Sequence, residues 1–389
     1  MQAKLLTDTT MHTYHHGTMK RRRDADGSRI VLTHDHLAQR GGAERVVQTI
    51  SEALGGAPIH TAVYAPDRTY ESLAAHDVRE MWFSKLPIIR SNHRWAFPLM
   101  APGFSALRPH ADVTIASSVG WSHGVHPSGR KVIYWHAPPR WLYQQAEYLG
   151  PKGLVPRVVS LAAPALRRWD RASARRADRH LAVSTDVANR LRRIYGVEAE
   201  VLHPPMSLHA EPEPISGLPD EFLLIVSRLM SYKNIQHVAH AMRRLPEHNL
   251  VVVGSGPYKQ HLQAIAPANV HFVEGISDGQ LVGLYRRCQA LVAAAFEDFG
   301  LTPLEAASQG RPVVALRGGG FLDTVENGRT GVFFETLTTD AIASSIEKCL
   351  AMTWDEGLLR AHVERFSKER FTKRLVEIVK EEETFARGS

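Results

Sequence analysis

Short apolar segments alternate with helical segments along most of this 389-residue chain, and that alternation restricts the fold more than any other feature. Apolar runs of four to six residues between amphipathic helices predict parallel strands joined by helices. Strands joined in this way form doubly wound α/β sheets. We predict strands at 29–33, 59–62, 113–117, 131–135, 180–184, 222–226, 250–253, 271–275, 290–295 and 312–316.

A proline-rich, acidic stretch at 203–219 divides the chain into two halves with the same alternation. It predicts a hinge between two facing Rossmann-like doubly wound domains, with a cleft between them. We predict a first domain at 29–205 and a second domain at 206–369. Residues 1–28 are polar and basic without periodicity, which predicts a disordered extension or a cloning remnant.

The composition limits which cellular compartment and which binding partners are expected. A net charge of +7 favours an anionic substrate or an acidic membrane surface, although an excess of this size is also typical of ordinary solvated surface. Cys288 and Cys349 have no metal-ligand spacing, which fits a reducing cytoplasm. No apolar run is long enough to span a membrane, and the amino terminus lacks the apolar core of a signal peptide. We therefore expect a cytoplasmic protein, with the inner face of the cell membrane as a second location.

The stretch AFEDFGLTPLEAASQG at 295–310 lies between two predicted strands and holds the densest group of candidate site residues. An acidic loop at 297–298 and a Phe-Gly corner at 299–300 precede a helix that we predict to begin with Thr302 as its N-cap. Free amides at a helix start beside carboxylates suit a ligand that carries phosphate and hydroxyl groups. Thr302 and Glu305 also have capping-box spacing, so Glu305 closing its own helix is the alternative.

Two cations follow the first predicted strand of the second half, in the run SRLMSYKN. Arg228 stands at the end of the strand and Lys233 at the entry to the next helix. From these positions both side chains can contact one anion, and the two negative charges of a nucleotide diphosphate match the two cations. Isolated surface cations are the alternative interpretation of the pair.

The first half places candidate residues at the carboxyl ends of two strands. Gly41 and Gly42 stand between a strand and a helix, where backbone can approach a phosphate because no side chain intervenes. A plain tight turn is the alternative. His136 ends another strand, in the position where α/β proteins bind ligands. A structural role is the alternative in a chain with 21 histidines.

Apolar and basic residues are mixed between 81 and 108. Such a mixture favours contact with a lipid headgroup layer or a lipid-linked acceptor, and aromatics in the core beside a solvated basic face are the alternative. The arginine-rich helix predicted at 157–179 has two interpretations, contact with an acidic membrane surface or a solvated basic face. The apolar members are Trp82, Phe83, Leu86, Ile88, Ile89, Trp95, Phe97, Leu99, Met100 and Phe104.

The run from Glu297 to Gly331, which includes GRPVVALRGGGFLDTVENGRTG, resembles the retaining glycosyltransferases of family 4. The resemblance covers roughly 30–385 and implies the glycosyltransferase B fold, with the donor held mainly by the second domain. It also implies that the terminal helix, about 370–389, crosses back onto the first domain. In this family Glu297 lies against the sugar, Glu305 holds the ribose, and amides of the corner reach the sugar or phosphate. Those amides belong to Phe299, Gly300, Leu301 and Thr302.

The same resemblance assigns roles to the other candidates. It implies that Arg228 and Lys233 clamp the diphosphate in place of a metal ion. It places His136 near the anomeric carbon, where the side chain orients the sugar or stabilises the transition state.

Four further positions receive backbone roles from the resemblance. Gly41 and Gly42 are expected to face the donor diphosphate and the acceptor. The backbone at Gly275 and Ile276 is expected to pair with the nucleobase.

The overall pattern is most similar to mannosyltransferases that use GDP-mannose on lipid-linked glycans. The implied reaction moves a hexose from a nucleoside diphosphate sugar to a glycan or lipid-linked acceptor with retained configuration, without cofactor, metal or nucleic acid. Peripheral contact with an acidic membrane surface is expected. Asn234 departs from that subgroup, which commonly has a basic residue there, so a UDP-sugar transferase acting on a small molecule is the alternative enzyme.

Two other classes compete with a transferase. A catalytically silent nucleotide-sugar binding protein would bind the donor without releasing nucleoside diphosphate. A NAD-dependent oxidoreductase is a third class, suggested by Gly254-Ser255-Gly256. Lys259 stands where the dinucleotide fingerprint needs its third glycine, which argues against that class.

Overall fold

Parallel strands build two separate sheets in this chain, each with helices packed against it. A computed structural model describes residues 30–145, 154–208 and 210–388. The predicted extension at 1–28 lies outside the described residues. Two parallel sheets with intervening helices confirm the predicted α/β class with two doubly wound units.

The first sheet is formed by the amino-terminal half of the chain. Its strands are β1 (Ile30–His34), β2 (Ile59–Thr61), β3 (Val78–Glu80), β4 (Val113–Ser118), β5 (Arg130–Trp135), β6 (Arg179–Ala182) and β7 (Glu200–Val201). They are ordered β3-β2-β1-β4-β5-β6-β7. Because β1 and β4 pair directly although two strands separate them in sequence, the winding direction reverses between them.

The second sheet repeats this arrangement with the carboxyl-terminal half. Its strands are β8 (Leu223–Val226), β9 (Leu250–Val253), β10 (Val270–Val273), β11 (Ala290–Ala293), β12 (Val313–Leu316) and β13 (Gly331–Phe334). They are ordered β10-β9-β8-β11-β12-β13, so the reversal lies between β8 and β11.

Helices cover both faces of the sheets. The α-helices are α1 (Gly42–Ala53), α2 (Pro87–Ser91), α3 (Phe97–Ala106), α4 (Arg140–Tyr143), α5 (Leu154–Ala174), α6 (Thr185–Tyr195), α7 (Ile235–Ala241), α8 (Lys259–Ile265), α9 (Asp278–Arg287), α10 (Thr302–Ser308), α11 (Phe321–Thr324), α12 (Thr339–Ala351), α13 (Glu356–Val363) and α14 (Lys368–Gly388). Short 3₁₀ segments lie at Pro66–Arg68, Glu71–Ala75, Trp82–Lys85, His93–Ala96, Ser122–Gly124, Ser231–Lys233, Met242–Arg244 and Glu364–Phe366. Within the described ranges, no helix combines the length and the apolarity that a membrane crossing requires.

The strands exist where the sequence is continuously apolar, because a parallel sheet covered on both faces buries every side chain. All residues of β9 and β11 are buried, as the runs LVVV and ALVA predict. The predicted strand at 180–184 ends earlier, at Ala182, because Ser184 caps α6 with its hydroxyl. Three strands were not predicted. β3 and β7 are short, polar strands at the two edges of the first sheet, and β13 is an edge strand of the second sheet.

The last helix, α14, packs against the first sheet although it follows the second sheet in sequence. Phe371, Leu375 and Ile378 are buried in the same apolar cluster as the strands of the first sheet. Ion pairs fix its two ends, with Lys368 Nζ 2.7 Å from a Glu52 oxygen and Arg130 2.8 Å from a Glu382 oxygen. The chain therefore crosses between the two units twice. The limits predicted for the two domains stay a prediction.

Replacing Leu375 with Ala tests this packing. Leu375 is fully buried, so the change leaves a cavity and should lower the free energy of unfolding by about 2–5 kcal/mol. The urea midpoint measures the effect. Lys380→Ala on the exposed side of the same helix is the matched control, expected within about 0.5 kcal/mol of the original chain. Equal midpoints for Leu375→Ala and the control would contradict the packing.

Candidate active site

The candidate site lies at the reversal points of the two sheets. In doubly wound sheets ligands bind beyond the carboxyl ends of the strands where the winding direction reverses. These points are β1 with β4 in the first sheet and β8 with β11 in the second. The loops after these four strands, together with the loop after β5, hold most of the predicted site residues.

On the second sheet, the structure brings Lys233 and Glu297 together. Lys233 ends a 3₁₀ turn after β8, and its ammonium donates a hydrogen bond to a Glu297 oxygen in the loop after β11. Lys233 is 9% exposed, so its charge lies in a poorly hydrated environment where the carboxylate compensates it. One small cavity is lined by both residues together with Ser227, Thr302 and Phe321. This cavity is the centre of the candidate site.

Arg228 lies beside this pair. Its guanidinium donates to the Tyr232 hydroxyl at 3.1 Å, and the Lys233 ammonium lies 5.3 Å from the centre of the Tyr232 ring. Arg228 itself is exposed. Tyr232 thus connects the two predicted cations, and no local sequence pattern indicates this role.

Asn234 joins the 3₁₀ turn to α7 in the left-handed conformation, with φ of 61°. Among the described non-glycine residues it alone has positive φ, a conformation in which asparagine is enriched. Its side-chain amide donates to the Ala294 carbonyl at 3.0 Å, which ties the Lys233 turn to the end of β11. The side chain and the backbone conformation of Asn234 thus have a local structural role.

The two acids of the 297–298 loop have different surroundings. Asp298 binds two guanidiniums of the other domain, with Arg140 at 2.8 Å and Arg190 at 2.5 Å. Its backbone carbonyl accepts a hydrogen bond from the Ser184 hydroxyl at 2.5 Å. Burial alone would raise the pKa of Asp298, but Arg140 and Arg190 hold it below its usual value. Asp298 therefore links the domains, while Glu297 faces the cavity.

The Phe299-Gly300 corner fits between the domains. Gly300 has φ of +88°, and a side chain there would overlap the Phe321 ring. The Phe299 ring is buried in the core of the first domain and stacks on His203 with a centroid distance of 5.4 Å. Only backbone atoms of the corner are thus left to contact a ligand. The predicted role of the amides at 299–302 stays a prediction.

The helix after this corner begins differently from the prediction. Leu301 is the N-cap and Thr302 is the first helical residue, so the assignment of Thr302 as N-cap is wrong. The capping box does not form, because Glu305 instead accepts a hydrogen bond from the Tyr285 hydroxyl at 2.6 Å. Burial raises the pKa of the Glu305 carboxyl. The alternative in which Glu305 only closes its own helix is therefore wrong.

On the first sheet, three strand ends meet in a group of hydrogen-bonded side chains. The Ser117 hydroxyl lies 2.8 Å from His136 Nε2 and 3.0 Å from His34 Nδ1. Burial lowers the pKa of His136 to about 4, although nearby Asp298 acts in the opposite direction. Burial also lowers the pKa of His34 well below its usual value. Both imidazoles are therefore neutral near pH 7.

The Gly-Gly turn faces the corner of the second domain. Gly41 is the N-cap of α1, and a side chain on Gly42 would come 3.2 Å from the Leu301 side chain. A side chain on Gly41 would overlap a Glu44 oxygen. The Glu44 carboxyl is buried, which raises its pKa, and no signal in the sequence marked it. The backbone at Gly42 thus lies close to the Leu301 side chain of the second domain.

Gly275 and Ile276 lie apart from the cavity. They follow β10, the edge strand, and two further strands of the sheet separate β10 from the loop that carries Glu297. Gly275 has φ of +71° and open space around its α-carbon. Their predicted contact with a nucleobase stays a prediction.

Both halves of the chain match models of known protein families. The Glycosyltransferase Family 4 profile matches residues 40–209, and that of Glycosyl transferases group 1 matches residues 212–370. Anabaena HepE in complex with UDP and glucose superposes with a TM-score of 0.68 at 18% identity, over 91% of this chain and 99% of that one. Sucrose-phosphate synthase from Thermosynechococcus elongatus gives 0.71 at 20% identity, over 91% and 98%.

Curated relatives match more locally. A GDP-mannose-dependent alpha-(1-6)-phosphatidylinositol monomannoside mannosyltransferase from Mycolicibacterium smegmatis is 30% identical over 174 residues, 40% of this chain and 46% of that protein. A D-inositol 3-phosphate glycosyltransferase from Streptomyces bingchenggensis is 29% identical over 231 residues, 49% and 50%. The chain spans half or less of the length of these relatives. The two matched regions together span most of residues 40–370, and the fold is the glycosyltransferase B fold of the solved structures.

Proposed function

We propose that this protein transfers a hexose from a nucleoside diphosphate sugar to a hydroxyl group of a glycan or lipid-linked acceptor, with retained configuration. The proposed donor is GDP-mannose. The observation that carries the proposal is the pairing of Lys233 with Glu297 in a cavity at the reversal point of the second sheet. The similarity to a GDP-mannose-dependent mannosyltransferase of Mycolicibacterium smegmatis supports the choice of GDP-mannose.

In the proposed reaction the bond from the anomeric carbon to the diphosphate breaks, the acceptor oxygen forms the new bond, and the proton of the acceptor hydroxyl passes to the departing diphosphate. Negative charge develops on the departing diphosphate, so a site with preplaced cations accelerates the step. Lys233 has three N–H donors and gives one to Glu297, which leaves two for phosphate oxygens. Arg228 is close enough through Tyr232 to share the same anion. No metal ion is needed in this scheme.

The remaining residues would position the transferred sugar, the ribose and the acceptor. Glu297 would accept hydrogen bonds from sugar hydroxyls, and Glu305 from the ribose. His136 is neutral near pH 7, so it would orient the sugar through a hydrogen bond rather than supply a charge. The acceptor would approach from the side of Gly41 and Gly42.

A UDP-sugar is the second candidate donor. It is favoured by Asn234, whose amide is engaged with the Ala294 carbonyl where the mannosyltransferase subgroup commonly has a basic residue. Thermal-shift measurements with GDP-, UDP-, ADP- and dTDP-sugars separate the candidates, since a ligand that binds only native protein raises the Tm. We expect the largest shift with GDP-mannose. Binding without release of nucleoside diphosphate under any acceptor would favour a silent binding protein, and loss of activity in EDTA would contradict the scheme without metal.

Replacing Lys233 with Ala tests the clamp. We expect turnover to fall by at least about 100-fold, since one preplaced donor to a developing anion contributes roughly that factor. Release of nucleoside diphosphate measures the rate, and an unchanged Tm shows that the fold is kept. Lys348→Ala, an exposed position on α12, is the matched control with normal turnover expected. A normal rate in Lys233→Ala would refute the clamp.

Asp298→Asn tests the link between the domains. The change leaves Arg140 and Arg190 without their shared carboxylate and frees the loop that positions Glu297. We expect a lower Tm and turnover reduced by about tenfold or more, because small misplacements of site groups are costly. Arg192→Gln on α6 removes an exposed ion pair with Glu198 and serves as the control. Equal behaviour of the two variants would show that Asp298 does not hold the loop.

Acid titration tests the environment of His136. The unfolded chain binds a proton near pH 6.5 that the native imidazole binds only near pH 4, so this group makes stability fall as pH decreases between those values. We expect the decline in urea midpoint from about pH 7 to about pH 5 to be smaller in His136→Asn. His110→Asn, at an exposed position, should decline like the original chain. Identical declines in all three proteins would contradict a buried neutral His136.

A further inference from the structure

Phe296 is an exposed aromatic residue at the rim of the candidate active site. It lies in the loop after β11, directly before Glu297, and its side chain is 41% exposed. Ala295 and Glu297, its two neighbours in the chain, both line the cavity that holds Lys233, whereas Phe296 does not line it. The Phe296 ring therefore faces the outside of the cavity.

The Phe296 ring rests on the glycine turn after β12. A side chain on Gly318 would come 3.1 Å from the ring, and a side chain on Gly319 would come 3.3 Å from it. The turn is fixed, because the Gly320 amide donates to the Glu297 carbonyl at 2.8 Å. Backbone thus supports one side of the ring, and the exposed area of the ring is left on the other side.

The first domain contacts the backbone at Phe296 without covering the ring. The Arg140 guanidinium donates to the Phe296 carbonyl at 3.3 Å and pairs with the Asp298 carboxylate at 2.8 Å. The two domains are therefore already in contact at this loop, and the ring is still exposed. Contact between the domains thus leaves an aromatic face open at their boundary, one residue away from Glu297.

We propose that Phe296 forms an acceptor subsite, in which its ring stacks on a neutral pyranose ring of the acceptor. The proposal rests on the proposed function, and it adds the chemical class of the acceptor group that lies beside the transferred hexose. The face of an aromatic ring carries partial negative charge and attracts C–H groups. A pyranose presents such C–H groups on one of its faces. Phenylalanine has no polar atom in its side chain, so this contact selects the apolar face of the sugar.

Other occupants match the rim less well. Under the proposed function the donor hexose lies in the cavity, and the Phe296 ring faces away from it. A phosphate group would be repelled by the aromatic face, and the nearby cation Arg140 is already paired with Asp298. A second copy of the chain would need an interface of about 1,200 Å² or more, of which one ring supplies a small part.

Binding of simple sugars tests the subsite without any donor. Saturation-transfer difference NMR is recorded on the full chain with methyl α-mannopyranoside and with methyl α-glucopyranoside. We expect transfer to the ring C–H protons, and binding about fivefold weaker in Phe296→Ser, since a stacked ring contributes roughly that factor. Glycerol, which has hydroxyls but no ring, should give the same signal with both proteins. No transfer to either sugar, or equal transfer in Phe296→Ser, would overturn the proposal.

Further variants separate stacking from packing on the glycine turn. Phe296→Tyr and Phe296→Trp keep an aromatic face and should bind the sugars like the original chain, whereas Phe296→Leu should lose binding as Phe296→Ser does. Phe385→Ser, at a position of α14 that is 60% exposed, is the matched control with normal binding expected. All variants should keep their Tm. If Phe296→Leu restores binding and Phe296→Ser lowers the Tm, the ring has only a packing role and the proposal is wrong.

Steady-state kinetics test whether the subsite belongs to the acceptor. With GDP-mannose as donor and methyl α-mannopyranoside as acceptor, Phe296→Ser should raise the KM of the acceptor about fivefold and leave the KM of the donor unchanged. A higher KM for the donor alone would place the ring at the donor hexose and overturn the proposal. Sugar binding that depends on Phe296, without release of nucleoside diphosphate from any donor, would support the subsite and contradict the proposed function.

Discussion

The geometry of the cleft depends on the carboxylate of Asp298. It is half-buried between two guanidiniums of the first domain, and its own backbone belongs to the second. Burial opposes an ionised carboxylate, so the charge persists there only because Arg140 and Arg190 compensate it. The residue before it, Glu297, faces the cavity, and the residue after it, Phe299, packs in the core of the first domain. One loop thereby fixes the site and the contact between the domains.

The two sheets contribute different polar side chains to the cleft. The first sheet presents His136 and His34, whose imidazoles burial keeps neutral, joined through the Ser117 hydroxyl. The second sheet presents Lys233 and Arg228. Under the proposed function, the diphosphate of the donor would lie beside Lys233 and Arg228, and its neutral sugar beside His136. A further contact joins the two domains at helix α6. Asp323 of the second domain accepts hydrogen bonds from the amide and the hydroxyl of Thr185, at the amino end of this helix.

The sequence predicted the sheet interior well because those strands are continuously apolar, as in ALVA at β11. It missed β3 and β7, since the runs VRE and EV are short and polar and are recognisable only from the strands beside them. Lys233 and Glu297 were predicted because each follows a buried strand. Their direct pairing, and the capture of Asp298 by Arg140 and Arg190, depend on distances between residues far apart in the chain. No local pattern encodes such distances, and Thr302 was misassigned because its spacing to Glu305 imitates a cap.

The route of the chain has a consequence for its biosynthesis. All strands of the first sheet are translated once β7 is made, yet Phe371, Leu375 and Ile378, which cover one of its faces, follow the whole second sheet in sequence. The ribosome therefore delivers the whole second domain before the first can bury that face. During elongation the uncovered strands are a surface for chaperones or for unwanted aggregation. The first domain is therefore completed only after α14 has left the ribosome.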